Sequence, residues 1–155
     1  MTTRSGKRDD GEQRRRPPLP VLLSQAKEIM VENLHERLAE DGFDGILYWH
    51  GSVFRCIDAE GSRLTVLAER SGLTKQAIGE VVVELERHGY VERAADPDDR
   101  RAKIIRLTGR GIEAQAAAAR ILDGIEQRWD RHLGQDRIAT LRATLEEVIS
   151  FERGD

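Results

Sequence analysis

LTVLAERSGLTKQAIGEVVV, residues 64–83, reads as two short helices joined at a glycine. Thr65 is placed to cap the first helix, which turns Leu64, Leu67 and Ala68 inward, and Gly72 supplies the freely turning residue between the two. Thr74 is placed to cap the second, whose Ile78, Val81, Val82 and Leu85 point to the core. Small Ala68 lets the helices approach, and Gly72 four residues later permits a tight turn; together they match the spacing of a helix-turn-helix. That geometry leaves Lys75, Gln76, Gly79, Glu80 and Val83 on the outer face. The amino-terminal part of such a second helix enters the major groove of duplex DNA. There Lys75 can reach guanine or phosphate, Gln76 can pair with adenine, and the bare backbone at Gly79 permits close approach. An Ala-x-x-x-Gly spacing by itself also fits a plain helical hairpin, so the flanking sequence has to decide.

Downstream, His88-Gly89 stops the helix and Tyr90-Val91-Glu92-Arg93 opens an extended segment. Asp96-Pro97-Asp98-Asp99 makes a turn, and Lys103-Ile104-Ile105-Arg106-Leu107 returns with strand character. The hairpin is loaded with Arg100, Arg101, Lys103 and Arg106 at and just beyond its tip. A helix-turn-helix followed by a basic hairpin is a winged helix. Its wing can reach the DNA backbone or the adjacent minor groove, whose narrow A·T-rich form attracts arginine.

Further out, Leu23, Ala26, Met30, Leu34 and Leu38 recur at steps of three or four, so a helix is expected over residues 21–40, ended by Gly42 and Gly45. A second helix is expected over residues 46–57, although Tyr48, Trp49, Val53, Phe54 and Ile57 are nearly apolar all round and also fit a buried strand. Beyond the wing, Ile112, Ala116, Ala118, Ile121, Leu122, Ile125 and Trp129 mark a long Ala-rich helix. After Gly134, Asp136 can cap a last helix carrying Ile138, Leu141, Leu145, Val148 and Ile149 on one face. The chain is thus expected to be mainly α, a winged helix-turn-helix over about residues 61–109 between long terminal helices at about 21–40 and 112–151. Those helices carry more apolar stripe than so small a domain can hide, and pairing with a second copy would bury it in a symmetric dimer.

Its 155 residues suit one domain over residues 21–155, preceded by an arm at residues 1–20, MTTRSGKRDDGEQRRRPPLP, too polar and proline-closed to fold alone. The 25 Lys and Arg against 28 Asp and Glu give no bulk attraction to nucleic acid or acidic membranes. By segment, however, the net charge is +3 over residues 1–16, −5 over 17–60, +2 over 61–111 and −3 over 112–155. A basic arm and centre between acidic flanks is the pattern expected when one segment meets an anionic partner. The lone Cys56 excludes an internal disulfide and suits a reducing compartment. With no apolar run near the ~20 residues of a membrane helix and no export signal, a soluble cytoplasmic protein is expected.

Residues 67–111, LAERSGLTKQAIGEVVVELERHGYVERAADPDDRRAKIIRLTGRG, resemble the MarR (multiple antibiotic resistance regulator) family. The most specific part is Asp99-x-Arg101 with Leu107-Thr108 and Gly111, together with Leu85-Glu86-x-x-Gly89-Tyr90-Val91. The resemblance implies a homodimer with interlocked terminal helices, acting by sequence-specific binding of double-stranded DNA as a ligand-responsive repressor on a near-palindromic operator. It assigns Arg101 to the minor groove, Asp99 to holding that arginine, and Arg100 and Lys103 to phosphates; Thr74, Lys75, Gln76 and Gly79 complete the expected DNA contacts. It also implies a small aromatic or phenolic effector, for which Tyr48, Trp49 and His50 are the expected lining, with Met30 or Trp129 as neighbours. The sequence departs from the pattern in its long basic arm, which could add phosphate contacts or stay solvated, and in Gly79, where the family usually has a side chain.

Other chemistry finds little support. His35, His50, His88 and His132 lack the i, i+4 spacing of two metal ligands on one helix. No Gly-rich phosphate loop, serine elbow or paired-carboxylate arrangement occurs, so no enzyme, cofactor or metal site is expected. Two alternatives stay open. One is a winged-helix protein-interaction module without DNA sequence preference, supported by Glu80, Glu84 and Glu86. The other is a thiol or metal sensor, resting on Cys56 or convergent histidines.

Overall fold

A computed structural model describes residues 16–99, 101–134 and 136–154. Helix α1 (Leu19–Glu40) starts two residues before the expected Val21, because Pro18 and Pro20 fall where a helix has no amide partner to lose. A 3-10 turn (Tyr48–His50) and the short α2 (Gly51–Cys56) replace the single helix expected over residues 46–57. Strand β1 (Ser62–Arg63), α3 (Leu64–Ser71), α4 (Lys75–Arg87), β2 (Val91–Ala95) and β3 (Lys103–Leu107) form the winged helix. The long α5 (Gly109–Leu133) and α6 (Arg137–Arg153) follow. Residues 1–15, most of the expected arm, lie outside the described residues.

The sheet is antiparallel in the order β1-β3-β2, with Ser62 opposite Ile105 and Val91 opposite Leu107. The expected wing hairpin is therefore present, and β1 adds a third strand. It also corrects the capping of α3. The helix leaves β1 directly, Arg63 occupies the cap position, and Thr65 lies inside the first turn. Gly72 adopts φ +69 after α3, the left-handed conformation that glycine takes without strain.

Thr74 caps α4 as expected, its Oγ1 accepting the Ala77 amide at 3.1 Å. Ile78, Val81, Val82 and Leu85 are buried with Leu67, Val53, Tyr90 and Ile105, so one apolar face of α4 holds the winged helix together. A second, smaller core joins Leu38 of α1 to Ala117, Ile121 and Ile125 of α5, with Trp129 packed against it. Of the stripe expected on α5, Ile121 and Ile125 are buried and Ala118 and Trp129 pack against that core, whereas near the start of the helix Ala114 and Ala117 are buried and Ile112 is 57% exposed. Thr108 caps the Gly111 amide, so α5 begins at Gly109. Asp136 stands before α6 with φ +71, and its side chain caps nothing. No residue of α6 is buried, and Phe151 is 83% exposed.

Candidate functional site

The outer row of α4 follows directly from its inner one. With Ile78, Val81, Val82 and Leu85 turned inward, a groove is left along Lys75, Gln76, Gly79, Glu80, Val83 and Glu84. Thr74, Lys75 and Gln76 are exposed at its amino-terminal end. A Cβ built on Gly79 would meet only Leu64, at 3.8 Å, so packing within the subunit does not require glycine there. A glycine inside a helix costs about 1 kcal/mol relative to alanine.

The wing is held by two aspartates, one of which sequence reasoning missed. Asp96, nearly buried, accepts the Arg63 guanidinium at 2.6 Å and the Asp98 amide at 2.9 Å, tying the wing to β1. The Asp98 amide first, and Arg63 second, hold its carboxyl below the usual carboxylate range. The Asp-Pro pair was legible as a turn, but the partner 33 residues away was not. Asp99, expected to hold Arg101, accepts that residue's backbone amide at 3.0 Å rather than its guanidinium. It shapes the tip and leaves the side chain to project. Arg101 and Lys103 are exposed. Arg100 lies outside the described residues.

Four arginines of the winged helix are held in ion pairs. Arg63, Arg70, Arg93 and Arg106 are paired with Asp96, Asp58, Glu86 and Glu92 respectively. Among the described residues, no ion pair engages Lys75, Arg101 or Lys103. Lys75 stands at the start of α4 and Arg101 and Lys103 on the wing, while Arg87, also outside the ion pairs, is exposed at the far end of α4.

Behind α4 lies a cavity of about 330 Å³ between α1, α2 and α5, lined by Met30, Leu34, Ile46, Tyr48, Phe54 and Leu122 among others. Its polar rim includes His35, Arg55 and Gln115. Of the three expected lining residues only Tyr48 faces it; Trp49, His50 and Trp129 do not. His50 is fully buried elsewhere, its Nδ1 accepting the Leu47 amide at 2.9 Å and its Nε2 lying 2.8 Å from Glu84. Since Nδ1 accepts, the ring proton sits on Nε2 and is donated to Glu84. Trp49, half exposed, donates its indole N–H to the same Glu84 oxygen at 3.1 Å. The indole first, and the imidazole second, keep the Glu84 carboxyl below its usual range. Residues 49 and 50 thus fasten α4 to the segment that walls the cavity.

Burial, reinforced by the nearby His50, lowers the pKa of His35 at the cavity rim. Above the ordinary imidazole value of about 6.5, folded and unfolded chains both carry a neutral ring there and stability is unaffected. As pH falls through that value the unfolded chain takes up the proton first, so folding loses stability. Melting curves from pH 7.5 to 5.5 should therefore fall less steeply for His35→Gln than for the parent; equal slopes would contradict the assignment.

Among the described residues no helix is long and apolar enough to cross a membrane, and no group of three or more His, Cys, Asp or Glu is gathered to hold a metal.

Comparison with known proteins agrees with this architecture. Residues 45–102 match a family model described as MarR family. The HTH-type transcriptional regulator YdcH of Bacillus subtilis is 31% identical over 108 residues, covering 68% of this chain and 74% of its own. The transcriptional regulator HosA of Escherichia coli O111:H- is 34% identical over 77 residues, which is 49% of this chain and 57% of HosA. Among solved structures, CouR from Rhodococcus jostii RHA1 bound to p-coumaroyl-CoA superposes with a TM-score of 0.64 at 27% identity, over 85% of this chain and 92% of CouR.

Proposed function

The chain belongs to the MarR family, and we propose on that basis that it is a cytoplasmic, homodimeric, sequence-specific DNA-binding repressor. The observation that carries the proposal is the separation of its cations. Four arginines of the winged helix are neutralised inside the subunit, while Lys75, Arg101 and Lys103 stay available at the two places a winged helix meets DNA. In this reading α4 lies in the major groove, Gln76 reads adenine, and Gly79 lets the helix approach. Arg101 enters the minor groove, and Arg100 and Lys103 meet phosphates. Two copies, joined through α1, α5 and α6, present their recognition helices about 34 to 36 Å apart to a near-palindrome.

The cavity is the proposed effector site. At about 330 Å³ it is near the small end of ligand cavities, and an apolar wall with Tyr48 and Phe54 beside Arg55 suits a small aromatic acid. Its occupant would act on α4 through the Leu47–His50–Glu84 connection. A coupling of this kind is typically worth about 1 to 3 kcal/mol.

The test is titration of the full chain with duplexes selected from genomic fragments, against scrambled duplexes of equal length. Arg101→Ala should weaken operator binding about tenfold or more and reduce the slope of log affinity against log salt by about one per lost contact. Identical affinity and slope for the variant, or equal affinity for scrambled duplexes, would overturn the proposal.

A further inference from the structure

The recognition helix carries Glu80, Glu84 and Glu86, three carboxylates on a helix that is to enter a polyanion. The structure distinguishes the three. Glu84 is occupied by Trp49 and His50, and Glu86 accepts Arg93 at 3.2 Å. Glu80 receives only the Gln76 side-chain amide, at a long 3.3 Å and from one turn earlier on the same helix. It is exposed, and it shares the outer groove with Lys75, Gln76, Gly79 and Val83.

A carboxylate in that position would repel phosphates and guanine or thymine edges, which offer the major groove acceptors at O6, N7 and O4. A carboxylate only accepts hydrogen bonds, so it needs a donor. Cytosine supplies one in its N4 amino group, which has an acceptor on one side only, the O6 of the paired guanine, whereas the adenine N6 amino group sits between its own N7 and the O4 of the paired thymine. The Gln76 amide, already directed at Glu80, fixes the carboxylate from the helix side. Gly79 removes the side chain that would otherwise hold this turn away from the base edges.

We infer that Glu80 is a specificity-determining residue that selects cytosine at one fixed position of each half-site, oriented by Gln76. The inference rests on the proposal that α4 reads DNA. It also accounts for the three carboxylates without a protein partner: two are structural and the third reads a base.

Selection of bound duplexes from a random pool, with full-length parent, Glu80→Gln and Glu80→Ala, tests it. The surface position makes all three foldable. The parent should select a half-site with one invariant cytosine, and replacing that C·G pair should lower affinity by about 5- to 150-fold. Glu80→Gln should move the preference there to adenine, and Glu80→Ala should abolish it while leaving the other positions of the motif unchanged. If the parent selects a motif and both variants select the same one, the inference fails and the DNA-binding proposal stands. If Glu80→Ala binds every duplex more tightly by one common factor, the carboxylate only repels and the inference fails again. A parent that selects no motif overturns both.

Discussion

Replacing Val148 and Ile149 together by aspartate is expected to leave the subunit folded while splitting the dimer and lowering operator affinity about 10²- to 10⁴-fold. The reason is the unequal placement of apolar residues. Within one subunit α6 buries no side chain, and Leu141, Val148, Ile149 and Phe151 stand exposed along it. The first turns of α1 do the same with Leu19, Val21, Leu22 and Leu23. Burying such surface contributes about 25 cal/mol per Å², so two copies gain much by covering it mutually. Neither Val148 nor Ile149 belongs to the two cores that hold the subunit, so charge there should act on association and leave folding intact. Each half-site would then bind alone, without the high effective concentration that a joined pair gives the second contact. Sedimentation should report a monomer with an unchanged helical spectrum, and fluorescence anisotropy the fall in affinity. A variant that remains dimeric and binds as the parent does would place the interface elsewhere.

Gly111→Ala should destabilise the subunit by about 3 kcal/mol, at the upper end of overpacking effects, despite the ~1 kcal/mol that alanine normally adds to a helix. A Cβ at this position would sit 2.0 Å from the Tyr90 carbonyl oxygen and 3.2 Å from the Leu107 side chain. Nothing there can give way. The Tyr90 carbonyl accepts the Thr108 amide, while the Thr108 hydroxyl accepts the Gly111 amide and donates to the Gly89 carbonyl. This knot joins the end of α4, the wing and the start of α5. At about 2 to 4 °C per kcal/mol for a chain of this size, the melting temperature should fall by roughly 6 to 12 °C. Gly124→Ala, on the same helix but with nothing within 4 Å of its added Cβ, should raise stability by up to about 1 kcal/mol. A Gly111→Ala protein as stable as the parent would contradict the packing described at this junction.

The helix-turn-helix was legible because each of its signals is local. The period of Ile78, Val81, Val82 and Leu85, the cap at Thr74 and the left-handed turn at Gly72 all act within a few residues, and the structure contains each of them. Residues 46–57 were ambiguous for the complementary reason. An almost continuous apolar run has no period to read. The 3-10 turn is held there by Leu47 donating to the buried His50 ring and by Ser52 donating to the Trp49 carbonyl, bonds between side chain and backbone that leave no hydrophobic pattern. Trp49 and His50 looked like a ligand wall because they are bulky and adjacent to Tyr48. Their N–H groups instead found an acceptor on α4, which holds both rings outside the cavity lining.

Sequence alone determined the family, the order of helices and wing, and which residues of α4 turn outward, since periodicity, caps and turn residues are consequences of backbone geometry over short spans. Tertiary structure alone decided which charges are free to act. Arg63 meets Asp96 across 33 residues and His50 meets Glu84 across 34, whereas Lys75, Arg101, Lys103 and Glu80 stay outside the ion pairs. Charge pairing depends on distance in space, and the packing that sets those distances is a property of the whole fold.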